Sequence, residues 1–215
     1  NFDTLDNFGR LTNEGTLFNN FGGTLTNGGT LENFGTLTNG GTLDNFGTGT
    51  LDNFGTINND GIINSTSGAV SEISGIQNHG ILRNNGTING SVDVKAGGIL
   101  TGSGTINGSV LLGGVIDPAN STGTITTSNQ TWINGASYGW EVNDSDGTAG
   151  GLVGWDLVDI TATEIEDGSL DLSQLTTGGF GIDIISLDVL NAIGAAEGFD
   201  DPNGEYEFVI VTTFA

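Results

Sequence analysis

Cysteine and methionine are absent from this 215-residue chain, histidine occurs once, proline twice, and lysine and arginine together three times. Without cysteine there is no disulfide framework, and the redox compartment stays open. The three basic residues, Arg10, Arg83 and Lys95, face 26 acidic ones, for a net charge of −23. That balance excludes nucleic-acid binding, which needs a basic footprint, and disfavours anionic membrane surfaces. It suits a secreted protein kept soluble by repulsion. No run of 18 apolar residues exists, so no membrane insertion is expected. His79, the lone histidine, sits beside Asn and Gly as a surface corner residue would. The start at Asn1, in mid-pattern, points to a processed product or a piece of something longer.

What is abundant is glycine, 39 residues, and a six-residue beat. Thr24–Gly47 reads TLTNGG, TLENFG, TLTNGG, TLDNFG. An aliphatic residue returns every sixth position, at Leu25, Leu31, Leu37 and Leu43. Leu5, Leu11 and Leu17 precede them; Leu51, Ile57 and Ile63 follow. The beat resumes at Val70 and runs through Ile76, Leu82, Ile88, Val94, Leu100, Ile106 and Leu112. Slips fall between Leu17 and Leu25, Leu43 and Leu51, and Ile63 and Val70, as small corner insertions would. Period six makes no stripe on an α-helix. It fits a strand of three or four residues followed by a corner, the signature of a solenoid. Gly29, Gly35, Gly41, Gly55 and Gly61, four after an aliphatic, suit corners through their positive-φ freedom.

GTINGSV recurs at 86–92 and 104–110, and GIL at 80–82 and 98–100, both 18 residues apart. Three hexads per coil give an all-β, three-sided single-stranded β-solenoid over residues 1–116, rising roughly 4.8 Å per coil. Asparagine stands two after the aliphatic at Asn7, Asn13, Asn19, Asn27, Asn33, Asn39, Asn45, Asn53 and Asn59. Alternation along a strand turns it to the same inward side. Stacked coils then set amide above amide, as in cross-β ladders. The pairs Leu25/Asn27, Leu31/Asn33, Leu37/Asn39, Leu43/Asn45 and Leu51/Asn53 are the structural ladder. Phe34 and Phe54 hold equivalent places one coil apart and are expected to stack at a corner. At 80–114 glycine replaces Asn at the ladder position (Gly90, Gly102, Gly108).

At Asp117 the pattern changes, and residues 117–215 form a β-rich C-terminal region of wider coils or a sandwich-like cap. Strand-like runs lie at Gly123–Ile133, Ser137–Val142, Leu152–Ala162, Phe180–Leu187 and Tyr206–Thr213, with a short helix at Leu187–Ala196. All three tryptophans, Trp132, Trp140 and Trp155, are here.

Leu100–Thr126, LTGSGTINGSVLLGGVIDPANSTGTIT, resembles the passenger domains of bacterial autotransporters and filamentous-haemagglutinin-like surface proteins. Their repeats read G-S-G-x-I-x-G-x-V and then G-x-I-x-P-G-x-S-x-G-T-L. Ala119 stands where the family usually has Gly. Trp155–Ala162, WDLVDITA, is similar to the family's D-x-L-x-V-T-G strand. The resemblance covers roughly residues 80–215 and implies secretion, a right-handed β-helix and a role at the cell surface. The strict hexad also resembles the left-handed β-helix of hexapeptide acyltransferases; the right hand is favoured.

Candidate chemistry is sparse. Glu32 and Asp52 share a phase one coil apart, a stacked acid pair or a solvated acidic face. Asp144 and Asp146, and Asp200, Asp201, Asn203 and Glu205, place oxygen ligands beside glycine in loops, as calcium requires. A flat Thr-x-Thr array for ice binding is broken, since Thr24/Thr26 gives way to Thr42/Asp44. No catalytic constellation emerges, and no enzyme is expected. The expectation is an extracellular structural subunit of a surface filament, sheath or adhesin stalk, whose partners are copies of itself through open ends. An adhesin recognising glycan or a host surface is the alternative, and a polysaccharide-acting enzyme comes third.

Overall fold

In the computed structural model, which describes residues 3–67, 75–119, 121–163, 167–200 and 205–213, the chain is all β. Short strands stack in three sheets, parallel except where Val142 pairs antiparallel with Trp155, and the chain visits the three in turn. The first face begins Thr4–Asn7, Thr24–Asn27, Thr42–Gly47 and ends at Val211–Thr213. The second begins at Arg10–Asn13 and ends at Leu170–Asp171. The third begins at Thr16–Asn19 and reaches Ala136–Val142 and Phe180–Ser186. This is a three-sided β-solenoid.

Each hexad makes a four-residue strand because its second and fourth residues enter the core together. In Thr30–Asn33 and Thr36–Asn39 those two are buried while the first and third are half-exposed. Leu25, Leu31, Leu37, Leu43, Leu51, Ile57 and Ile63 are fully enclosed. The β-branched Thr at the strand start suits the pleated outer surface.

Coil length varies without loss of register. Thr4 pairs with Thr24, Thr24 with Thr42, Ile62 with Thr87, and Thr87 with Thr105, which are steps of 20, 18, 25 and 18 residues. The inserted corners are turns with Gly22 at φ 82° and Gly47 at φ 63°, where a left-handed backbone calls for glycine. The third slip, including Val70, lies outside the described residues.

The repeat glycines Gly29, Gly35, Gly41, Gly55 and Gly61 correct the positive-φ expectation, for none is among the residues with positive φ. Their reason is proximity. A Cβ on Gly35 would fall well inside contact distance of Gly15 O, and one on Gly55 would meet Gly35 O the same way. At these glycine positions the corners stack too closely for a side chain.

A second correction concerns the beat after residue 88. Ile76 pairs with Val92 and then Val92 with Val110, so Val94 and Leu112 stand above Asn78 in the ladder column. Residues i and i+2 share a side, so both Val92 and Val94 are buried.

Parallel pairing continues past residue 117 with wider coils. Thr124 pairs with Leu157, Gln130 with Leu170, Ala136 with Phe180 and Val158 with Val211. Trp132, Tyr138 and Trp140 fill the broader core, and Trp132 stacks on Phe180 at 4.3 Å. The helix expected at Leu187–Ala196 is instead a turn. An antiparallel bridge between Leu187 and Ile193 closes it, and Asp188 Oδ1 accepts from the N–H groups of Leu190 and Ala192. That side chain takes the donors a first helical turn would leave free.

Candidate functional site

The inward asparagines form three hydrogen-bonded columns, one per face. On the second face Asn13 Nδ2 donates to Asn33 Oδ1 at 2.7 Å, Asn33 to Asn53 at 2.8 Å, and Asn53 to Asn78 at 2.7 Å. On the third, Asn19 donates to Asn39, Asn39 to Asn59, and Asn59 to Asn84, at 2.7–2.8 Å. On the first, Asn7 donates to Asn27, Asn27 to Asn45, and Asn45 to Ser65 Oγ. The second amide hydrogen goes to a corner carbonyl, as from Asn13 to Thr36 O and from Asn19 to Thr42 O. That bond fixes the orientation of each amide, because a flipped amide would set oxygen against oxygen. The first column ends at Ser65, and the other two end at Asn78 and Asn84, whose Nδ2 groups donate to Ile99 O and Thr105 O.

Sequence reasoning missed an outward column on the first face. Asn107 donates to Asn89, Asn89 to Asn64, and Asn64 to Asp44 Oδ1, at 2.6–2.9 Å. Its signal was present, since these residues lie one after the aliphatic, on the outward side.

Phe34, Phe54 and His79 stack at one corner, with centroids 5.0 and 4.7 Å apart and rings within 11° of parallel. Phe34 is 51% and Phe54 45% exposed, so the stack is an outward feature. Glu32 and Asp52 are register partners. Arg10 pairs with Glu32 and divides the two acids into unlike environments. Burial raises the Asp52 carboxyl, and Glu32 adds to this.

Three carboxylates far apart in sequence converge near the start of the wide coils. Ligand oxygens of Asp117, Glu141 and Asp156 all lie within 4.8 Å of one another. Asp117 and Glu141 sit at the outward phase of the third face. Asp156 is fully buried and accepts from Gly123 N at 2.8 Å and Glu141 N at 2.9 Å. Asp117 Oδ1 and Glu141 Oε2 are buried with no hydrogen-bond partner. Burial raises all three: Asp117 to about 6, Glu141 to about 7 and Asp156 to about 8. The charge of Asp117 pushes Glu141 and Asp156 up further, and that of Glu141 adds to Asp156, while Arg83 opposes the shift at Asp117 and the two N–H donors oppose it at Asp156. The trio holds protons near neutral pH, and its oxygen-only donor set is the type a hard divalent cation takes. No sequence motif joins the three residues.

Among the described residues, the calcium candidates make no comparable group. Asp144 Oδ1 accepts from Asp146 N at 2.9 Å in a local turn. Asp200 and Glu205 are exposed. Asp201 and Asn203 lie outside the described residues.

No family model, curated protein or solved structure matches this chain significantly.

Proposed function

We propose that this chain is a structural rod of the cell exterior, the β-solenoid subunit of a surface filament, sheath or adhesin stalk that joins its neighbours through its ends. The observation that carries this reading is the set of three amide columns. Their asparagines lie deep in the core and bond coil to coil along the axis of the rod. Exposed strand edges invite further strands. The net charge of −23 supports an exterior setting and solubility by repulsion. Electron microscopy of the undenatured protein tests the reading. Rods joined end to end, with an axial repeat commensurate with one subunit, are expected; isolated short rods would overturn it.

The Phe34–Phe54–His79 stack favours a second reading, an adhesin that binds glycan at this corner, since exposed aromatic faces and edges are contact surfaces. Glycan-array binding abolished by Phe34→Ser and Phe54→Ser would support it. Turnover of an acidic polysaccharide would displace both readings in favour of catalysis.

A further inference from the structure

The outward row of the first face runs through a recess. Thr26 and Asn64 are both register partners of Asp44, so the three half-exposed side chains stand in one row along the rod. With Asn45 and Phe46 they line a recess of about 410 Å³. An inserted corner shapes it. The strand Thr42–Gly47 is six residues long where most hexads give four, and the left-handed Gly47 turns the chain away. Phe46 therefore follows Asp44 on the same outward side. Its ring lies over Gly28, where a Cβ would come within 3.0 Å of Cζ, and it meets Phe8 edge-on at 6.3 Å. Held in this way, the ring is still 41% exposed.

The floor is fixed as well. Donation passes from Asn107 to Asn89, to Asn64 and on to Asp44 Oδ1, at 2.6–2.9 Å. Among the described residues, the second Asp44 oxygen and the Thr26 hydroxyl carry no hydrogen bond. A primary amide has two N–H donors, so Asn64 keeps one beyond its bond to Asp44.

We propose that this recess binds a neutral hexose unit of a glycan. A pyranose ring has an apolar C–H face and a rim of hydroxyls. Phe46 supplies a wall for the face. Asp44 and Thr26 supply acceptors for the rim, and Asn64 a donor. An apolar wall with a few fixed polar groups is the composition of a small-molecule site. Acidic sugars and phosphates are rejected, because Asp44 would face their charge and no basic residue lines the recess. An apolar peptide would leave the polar floor unpaired. The Phe34–Phe54–His79 corner is a separate place, where the rings cover one another's faces. The site is independent of the rod reading, which electron microscopy tests by itself.

The test titrates the full, isotope-labelled chain with methyl glucoside, methyl galactoside, glucuronate and tetramethylammonium, and follows backbone amide resonances. The amides of residues 44–46 and 64 should shift saturably with a neutral glycoside at millimolar concentration and stay still with glucuronate. Residues 99–112 serve as the internal standard of folding. Asp44→Asn keeps the acceptor for Asn64 and removes the charge. It should weaken binding by about tenfold or more, the factor for one hydrogen bond to a charged group. Phe46→Leu should weaken it severalfold, and Phe46→Tyr, which keeps the ring, should not. No shift with either neutral glycoside overturns the proposal, as does unchanged affinity in Phe46→Leu. Shifts of these amides by tetramethylammonium in place of sugar would make the recess a cation site and overturn it too. Binding lost in Phe34→Ser but kept in Phe46→Leu would overturn it in favour of the other corner.

Discussion

Asn33 Nδ2 donates to Asn53 Oδ1 across 2.8 Å, and both side chains are completely buried. The bond is one rung of a column that also ties Asn13 below and Asn78 above. Asn33→Leu keeps the branching and the number of side-chain heavy atoms but strands one Asn13 N–H and the Asn53 acceptor. Each orphaned buried polar group costs about 1–3 kcal/mol. A loss of about 2–4 kcal/mol in urea unfolding is expected, well above that for Thr38→Val on the outer surface. Similar losses for the two would deny the column any energetic role.

Gly35→Ala tests the close stacking of corners. The added methyl would strike the Gly15 carbonyl, which is backbone and cannot rotate away. Forcing the coils apart should lower stability by about 1–3 kcal/mol, the range for overpacking. Gly9→Ala, which meets nothing nearby, is the control and should be nearly silent.

Ala119 occupies the left-handed region at φ 67°. A Cβ there costs roughly 1–2 kcal/mol, partly offset in a glycine variant by roughly 0.5–1 kcal/mol of added chain entropy. Ala119→Gly should therefore raise stability by up to about 1 kcal/mol, visible as a higher urea midpoint. A lower midpoint would mean that the methyl packs usefully against Gly123, which it adjoins.

The carboxylate trio gives stability a definite pH dependence. Asp117, Glu141 and Asp156 have folded pKa values near 6, 7 and 8 against ordinary values of 3.8, 4.5 and 3.8. Between these limits the folded state holds protons that the unfolded chain releases, so stability falls as pH rises. The contribution is complete below about pH 4 and gone above about pH 8. Urea midpoints measured at pH 5 and pH 8 should show the higher value at pH 5. The double variant Asp117→Asn, Glu141→Gln should narrow the gap, and an unchanged gap would assign it to the general negative charge.

The solenoid was legible because one position in six enters a dry core and its chemistry barely varies. Leu31, Leu37 and Leu43 announce three faces, and Asn33, Asn39 and Asn45 announce three columns. Two details were ambiguous for physical reasons. Glycine serves both a left-handed turn and a steric gap, so Gly35 and Gly47 look alike in sequence but answer different demands. Val92 and Val94 share a side, so an aliphatic beat does not tell which of them stands over Ile76. The trio was hidden because Asp117, Glu141 and Asp156 meet only through wide coils whose lengths follow no period. The turn at Leu187–Ala196 was hidden because Asp188 acts through its side chain, which apolar spacing does not register.

The step of 18 to 20 residues between register partners has a mechanical meaning. Interstrand bonds in such a rod lie along its long axis, so tension on its ends loads one coil at a time instead of shearing many together. When a coil peels away, its residues extend to about 60–70 Å of free chain at roughly 3.3–3.6 Å each. The same coil occupied about 4.8 Å of rod length. A stalk made this way would yield in steps more than tenfold longer than the coils they consume, lengthening under a sudden pull while the coils not yet peeled stay folded.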